Sequence, residues 1–111
     1  MQIGTSLVLL FVSALLETGG DALVRVGLRA PSLGARLAFF LAGAAVLLAY
    51  GYAVNRPPWD FGRLLGVYVV FFFIVAQAVA WLAFGQAPTR GIWLGGAFMV
   101  IGGAIVAATA K

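Results

Sequence analysis

The sequence predicts an all-α fold, an integral membrane four-helix bundle forming a single domain over 1–111. Three observations carry that expectation. Of the 111 residues 64% are hydrophobic and 9% charged, with a mean hydropathy of +1.11, which is more apolar surface than a soluble globule of this size can bury. Four apolar stretches, about 3–28, 33–54, 61–84 and 89–108, each approach the ~20 residues that carry a helix across a ~30 Å hydrocarbon core. The breaks between them hold Pro31, the pair Pro57 and Pro58, and Pro88, and proline tends to end the helix that precedes it.

The first stretch begins Met1-Gln2-Ile3 and continues into a full span. It lacks the basic start and short apolar core of a cleavable leader, so it is expected to stay. The second follows Arg29-Ala30-Pro31-Ser32, the third follows Asn55-Arg56-Pro57-Pro58-Trp59-Asp60, and the fourth follows Gly85-Gln86-Ala87-Pro88. Links this short predict antiparallel neighbours, with both termini on one side. Near the spans, the side of the first and third loops carries Arg29, Arg36 and Arg90, with Arg25 one turn inside. The opposite side carries Arg56, Arg63 and Lys111. A charge balance this even either leaves orientation to finer details or lets the chain insert both ways and pair as an antiparallel homodimer.

Composition also excludes chemistry. Without cysteine or histidine there are no disulfides, no thiol nucleophile, no histidine-bound haem and no usual zinc site. No cofactor or metal is expected. The net charge of +4 reflects loop arginines near lipid headgroups, not a nucleic-acid surface. No catalytic nucleophile or phosphate loop appears, so an enzyme is not expected.

Glu17 is the single glutamate, and it follows an almost wholly apolar run from Ile3 to Leu16. An acid at such depth costs about 2.5 to 3.5 kcal/mol on insertion scales and is normally kept where it faces a cavity or a partner. A carboxyl group among apolar side chains binds its proton more tightly than in water, whereas a nearby cation favours the ionised form. Competition between the two for one carboxylate couples their movements. Asp21 and Arg25 continue the same helical stripe at four-residue intervals, and Ser13 lies one turn before the acid. Asp21 and Arg25 either neutralise each other as an ion-pair ladder or line a chamber. Glu17 is roughly 12 Å from Arg25 along the axis, too far for contact. Gly19 and Gly20 leave space beside it for a helix or a ligand.

The third stretch is aromatic, with Tyr68, Phe71, Phe72, Phe73, Trp81 and Phe84, plus a lone polar Gln77. Aromatic faces suit an apolar cation, though they equally pack or face lipid. Tyr68 and Gln77 stand nine residues apart, about 180° around a helix, so at most one of them shares a cavity with Glu17. The fourth stretch carries Gly91, Gly95, Gly96, Gly102 and Gly103. These include a G-x-x-x-G and a small-residue heptad that favour close helix approach, in a dimer or within the monomer. Trp59 and Trp93 read as interfacial anchors.

These residues together resemble the small multidrug resistance transporters of the drug/metabolite transporter superfamily. The likeness is closest to the YnfA-like branch, through Ala14-Leu15-Leu16-Glu17 with Gly20, then Gly62-Arg63, Tyr68, Gly85, Trp93, Gly95 and Gly102, and it covers nearly the whole chain. The resemblance implies an antiparallel, dual-topology homodimer in a bacterial inner membrane, with three helices lining the chamber and the fourth making much of the dimer contact. It implies that Glu17 binds a proton and a cationic substrate in turn and that Tyr68 lines the chamber with it. The chain departs from typical multidrug members at Phe71, where they carry tryptophan, and in the extra charges Asp21 and Arg25. The expectation is thus proton-coupled export of small organic cations. The alternatives are a non-transporting subunit of a larger membrane complex and a protein that moves lipid or lipid-linked sugar.

Overall fold

The computed structural model describes residues 1–109, and Lys111 lies outside them. Four helices follow one another: α1 (Ile3–Leu28), α2 (Leu33–Val54), α3 (Phe61–Phe84) and α4 (Arg90–Thr109). At 26, 22, 24 and 20 residues, each is long and apolar enough to span a membrane. Their ends are built from local chemistry. The Ser32 hydroxyl accepts the Ala35 amide at 3.1 Å and the Thr89 hydroxyl accepts the Ile92 amide at 3.3 Å, so each opens a helix as an N-terminal cap. Gly85, at φ 66°, turns the chain out of α3 in the left-handed region that glycine enters freely. Arg29 and Arg36 donate to the carbonyls of Arg25 and Ala30 at the end of α1, placing positive charge where helix carbonyls are left without partners.

The main packing runs between α1 and α2, α1 and α3, and α3 and α4. Consecutive helices were expected to be neighbours throughout; the α2 and α3 backbones approach less closely than those of the other consecutive pairs. The six-residue link 55–60 is long enough to allow it. These two helices meet instead through side chains, the Tyr50 and Tyr68 rings standing 5.7 Å apart between centroids. The molecule measures 49 × 34 × 19 Å. Its outer faces carry exposed Leu41, Leu48, Leu82 and Phe98, an arrangement suited to lipid as solvent.

Small residues set the helix approaches. Ser6, Ser13, Gly20 and Gly27 recur every seven residues along α1, and all are buried. A Cβ built on Gly20 would lie 2.7 Å from the Leu47 side chain, and one on Gly43 would lie 3.2 Å from the Gly20 carbonyl oxygen. The Gly20–Gly43 contact therefore brings the α1 and α2 backbones together. A second stripe of α1, Leu10 and Ala14, meets Leu64, Val67, Tyr68 and Val75 of α3 in the buried core.

Candidate functional site

Glu17 occupies the boundary between these two α1 stripes, half-buried and turned toward α3. Its Oε1 accepts a hydrogen bond of 2.8 Å from the Tyr68 hydroxyl. The tyrosine is 4% exposed, so the phenol is fixed by the core around it and aims its single O–H at the acid. Tyr50 from α2 and Phe72 from α3 flank that phenol, with ring centroids 5.7 and 6.3 Å away. The site is thus a carboxyl group with one donor, framed by aromatic faces from two helices. An ionised or a protonated carboxyl can accept this bond through Oε1, and the aromatic walls suit an organic cation.

The other expected site residues separate into groups. Ser13, fully buried, donates to the Leu9 carbonyl at 2.6 Å and is spent on its own helix. Gly20 faces α2, so the space expected beside the acid is filled there by Leu47; Gly19 remains open. Phe71 packs against the core cluster that contains Tyr68. Gln77 lies on the far side of α3, in an apolar groove of about 710 Å³ between α3 and α4 that Trp81 and Trp93 also line. The half-turn offset between Tyr68 and Gln77 accounts for this separation.

Asp21 and Arg25 form no ion pair among the described residues. The Arg25 guanidinium lies 5.4 Å from the centroid of the Phe84 ring. Both charges border a cavity of about 190 Å³ between α1 and α3, together with Thr18, Phe72, Phe84 and Gln86. The expected ladder is replaced because the end of α3 brings an aromatic face within reach of the guanidinium, which stacks well on such faces.

The glycines of α4 divide between two faces. A Cβ on Gly96 would lie 2.6 Å from the Phe73 ring, and one on Gly103 would collide with Val70. These two, expected at a dimer interface, pack within the monomer against α3. Gly95 and Gly102 meet nothing within 4 Å, and Gly91 touches only Thr89, so this second face is free. Of the expected anchors, Trp59 carries the Arg63 guanidinium 4.8 Å above its ring, and Arg63 donates to the Ala107 carbonyl across α3 and α4. Tyr50 was not singled out from the sequence. The available signal was weak, because Tyr50 lies in the last turns of α2 close to a second phenol, Tyr52.

A four-span membrane protein whose first helix holds an acid against a buried phenol is the class this fold and site define. The chain belongs to the UPF0060 membrane protein family. It is 36% identical over 107 residues to a UPF0060 membrane protein of Nocardia farcinica (strain IFM 10152), covering 96% of this chain and 94% of that one. A UPF0060 membrane protein of Kineococcus radiotolerans (strain ATCC BAA-149 / DSM 14245 / SRS30216) is 36% identical over 109 residues, with coverage of 96% and 94%. The UPF0060 membrane protein YfjF of Bacillus subtilis (strain 168) is 31% identical over 101 residues, with coverage of 89% and 90%. No family model matches the chain, and no solved structure does. It is a multi-pass membrane protein like these bacterial relatives.

Proposed function

We propose that the protein is a proton-coupled exporter of small organic cations, working by alternating access as an antiparallel homodimer. The observation that carries the reading is the 2.8 Å hydrogen bond from Tyr68 to Glu17, which ties the one deep acid of α1 to α3. Proton and cation compete for the Glu17 carboxyl group. A cation entering from one side displaces the proton, and reprotonation from the other side releases the cation. Tyr68 keeps one carboxyl oxygen oriented through the exchange, while Tyr50 and Phe72 offer faces to the cation. Two copies in opposite orientations supply the symmetry-related repeats on which alternating access around a midplane site commonly depends. The free Gly95 and Gly102 face of α4 is available for their contact.

The test is counterflow in proteoliposomes. Wild-type protein is expected to move a small organic cation, butyltrimethylammonium, against an imposed proton gradient and to dissipate that gradient as it does so. Glu17→Gln, which keeps the size and loses the titratable group, is expected to abolish coupled transport while the protein remains dimeric. Transport surviving that substitution would overturn the mechanism.

A second reading, movement of a lipid or lipid-linked sugar, draws on the apolar groove between α3 and α4. It predicts that labelled lipid crosses between leaflets of vesicles containing the protein, and that Trp93→Ala slows it.

A further inference from the structure

Asp21 and Arg25 are not explained by cation export. Two opposite charges, one turn apart on α1, border one cavity between α1 and α3 without forming an ion pair. Both side chains are exposed at the rim of the cavity, so each can meet a ligand without an internal pair having to be broken. The guanidinium lies instead 5.4 Å from the centroid of the Phe84 ring. The remaining wall is apolar, with Phe72, Ala76 and Val79, apart from Thr18 and Gln86. The cavity lining starts at Thr18, the residue after Glu17, and its acid, Asp21, stands one turn beyond Glu17, about 6 Å along the axis.

At about 190 Å³ the cavity is below the ~300–1,000 Å³ of sites for drug-sized ligands. It exceeds the ~150 Å³ that accommodates benzene. It therefore suits one small solute and does not suit a bulky lipophilic cation. A lone cation would find Asp21 but would also meet the like charge of Arg25, and a lone anion would face the reverse problem. The lining is complementary to a dipole.

We infer that this cavity binds a small zwitterion, its ammonium toward Asp21 and its carboxylate or phosphate at Arg25. The inference rests on the export reading for its direction of transport and deepens it by naming the substrate class. One helical turn, about 5.4 Å, separates the two charged positions along α1, so the ligand's charges are joined by a short linker. Arg25 offers the anion a planar set of donors while one face of the guanidinium stays on Phe84. An ammonium joined to an anion occurs in free small solutes and in zwitterionic phospholipid headgroups, and the experiment separates the two sources.

Two probes of matched shape isolate the anion: γ-butyrobetaine, and butyltrimethylammonium, which has a methyl in place of the carboxylate. Binding is measured by equilibrium dialysis on the full chain in phosphatidylglycerol vesicles, and uptake is measured in the same vesicles under a proton gradient. Wild-type protein is expected to prefer γ-butyrobetaine by about tenfold or more, the return of one charge-assisted contact. In Arg25→Gln the preference falls to about one. In Arg25→Lys, which keeps the charge and safeguards against misfolding of the neutral variant, part of it returns. Asp21→Asn weakens both probes alike.

A preference unchanged in Arg25→Gln, or a wild-type preference for the cation, overturns the inference and leaves the export reading intact. Arg25-dependent binding without uptake of either probe sustains the zwitterion site and defeats the export reading. Absence of binding by both probes defeats the site. Adding phosphatidylethanolamine identifies the source: competition against γ-butyrobetaine in wild type, absent in Arg25→Gln, assigns the site to the headgroup. Undiminished binding assigns it to the free solute.

Discussion

Tyr68 is held by the core and spends its hydroxyl on Glu17, so the phenol and the ring can be tested apart. Tyr68→Phe keeps the ring against Tyr50 and Phe72 and removes the donor. Unfolding in detergent is expected to show a loss of about 1 kcal/mol, the usual net value of one hydrogen bond, together with weaker cation binding. An unaltered affinity would mean that the carboxyl group needs no orienting partner. Ser6 provides a contrast. Its hydroxyl is fully buried with no hydrogen-bond partner among the described residues, whereas Ser13 and Thr18 bond to carbonyls of their own helix. Removing an unsatisfied buried group recovers its desolvation cost, so Ser6→Ala is expected to stabilise the protein by about 1 kcal/mol in the same unfolding experiment. At this scale the acid was legible because its insertion cost alone marks it. Its partner Tyr68 was indicated only by the family resemblance, since spacing excludes Tyr68 and Gln77 from sharing one cavity but does not say which of them turns toward α1. Tyr50 reaches the site through tertiary packing, which no local pattern encodes.

At the scale of the helix, hydropathy and proline placement describe the spans well, because both act locally. Neighbour choice is different. A short link constrains how far apart two helix ends lie, yet the α2 and α3 backbones approach less closely than α1 and α2 do and meet through Tyr50 and Tyr68. The α4 glycines show the same limit. Gly95 with Gly102, and Gly96 with Gly103, are identical heptads one residue out of step, about 100° apart around the helix. Only the bulk of Phe73 and Val70 on α3 decides which pair is buried. Gly96→Leu and Gly103→Val are therefore expected to destabilise the monomer by about 1–3 kcal/mol, the cost of forcing volume into a packed contact. Gly95→Leu and Gly102→Leu should leave monomer stability within about 0.5 kcal/mol and reduce dimer yield on chemical crosslinking. Equal effects from the two pairs would show that α4 does not divide its faces in this way.

For the whole molecule, the proposed antiparallel pair requires one sequence to insert in both orientations. The described residues place Arg29, Arg36 and Arg90 at the loops of one side and Arg56 and Arg63 at the other, a nearly balanced set in which few charges decide orientation. A reporter fused to the C-terminus should be active on both sides of the membrane. Arg29→Ser with Arg36→Ser should leave the Arg56 and Arg63 side facing the cytoplasm, giving signal from one side only and impaired transport unless a copy of opposite charge bias is co-expressed. The central claim is that proton and cation exchange at the Glu17 carboxyl group. It is tested by proton release on adding butyltrimethylammonium to weakly buffered purified protein. Wild type is expected to give a saturable release and Glu17→Gln none. Binding of the cation without proton release, or equal release from both proteins, would contradict it.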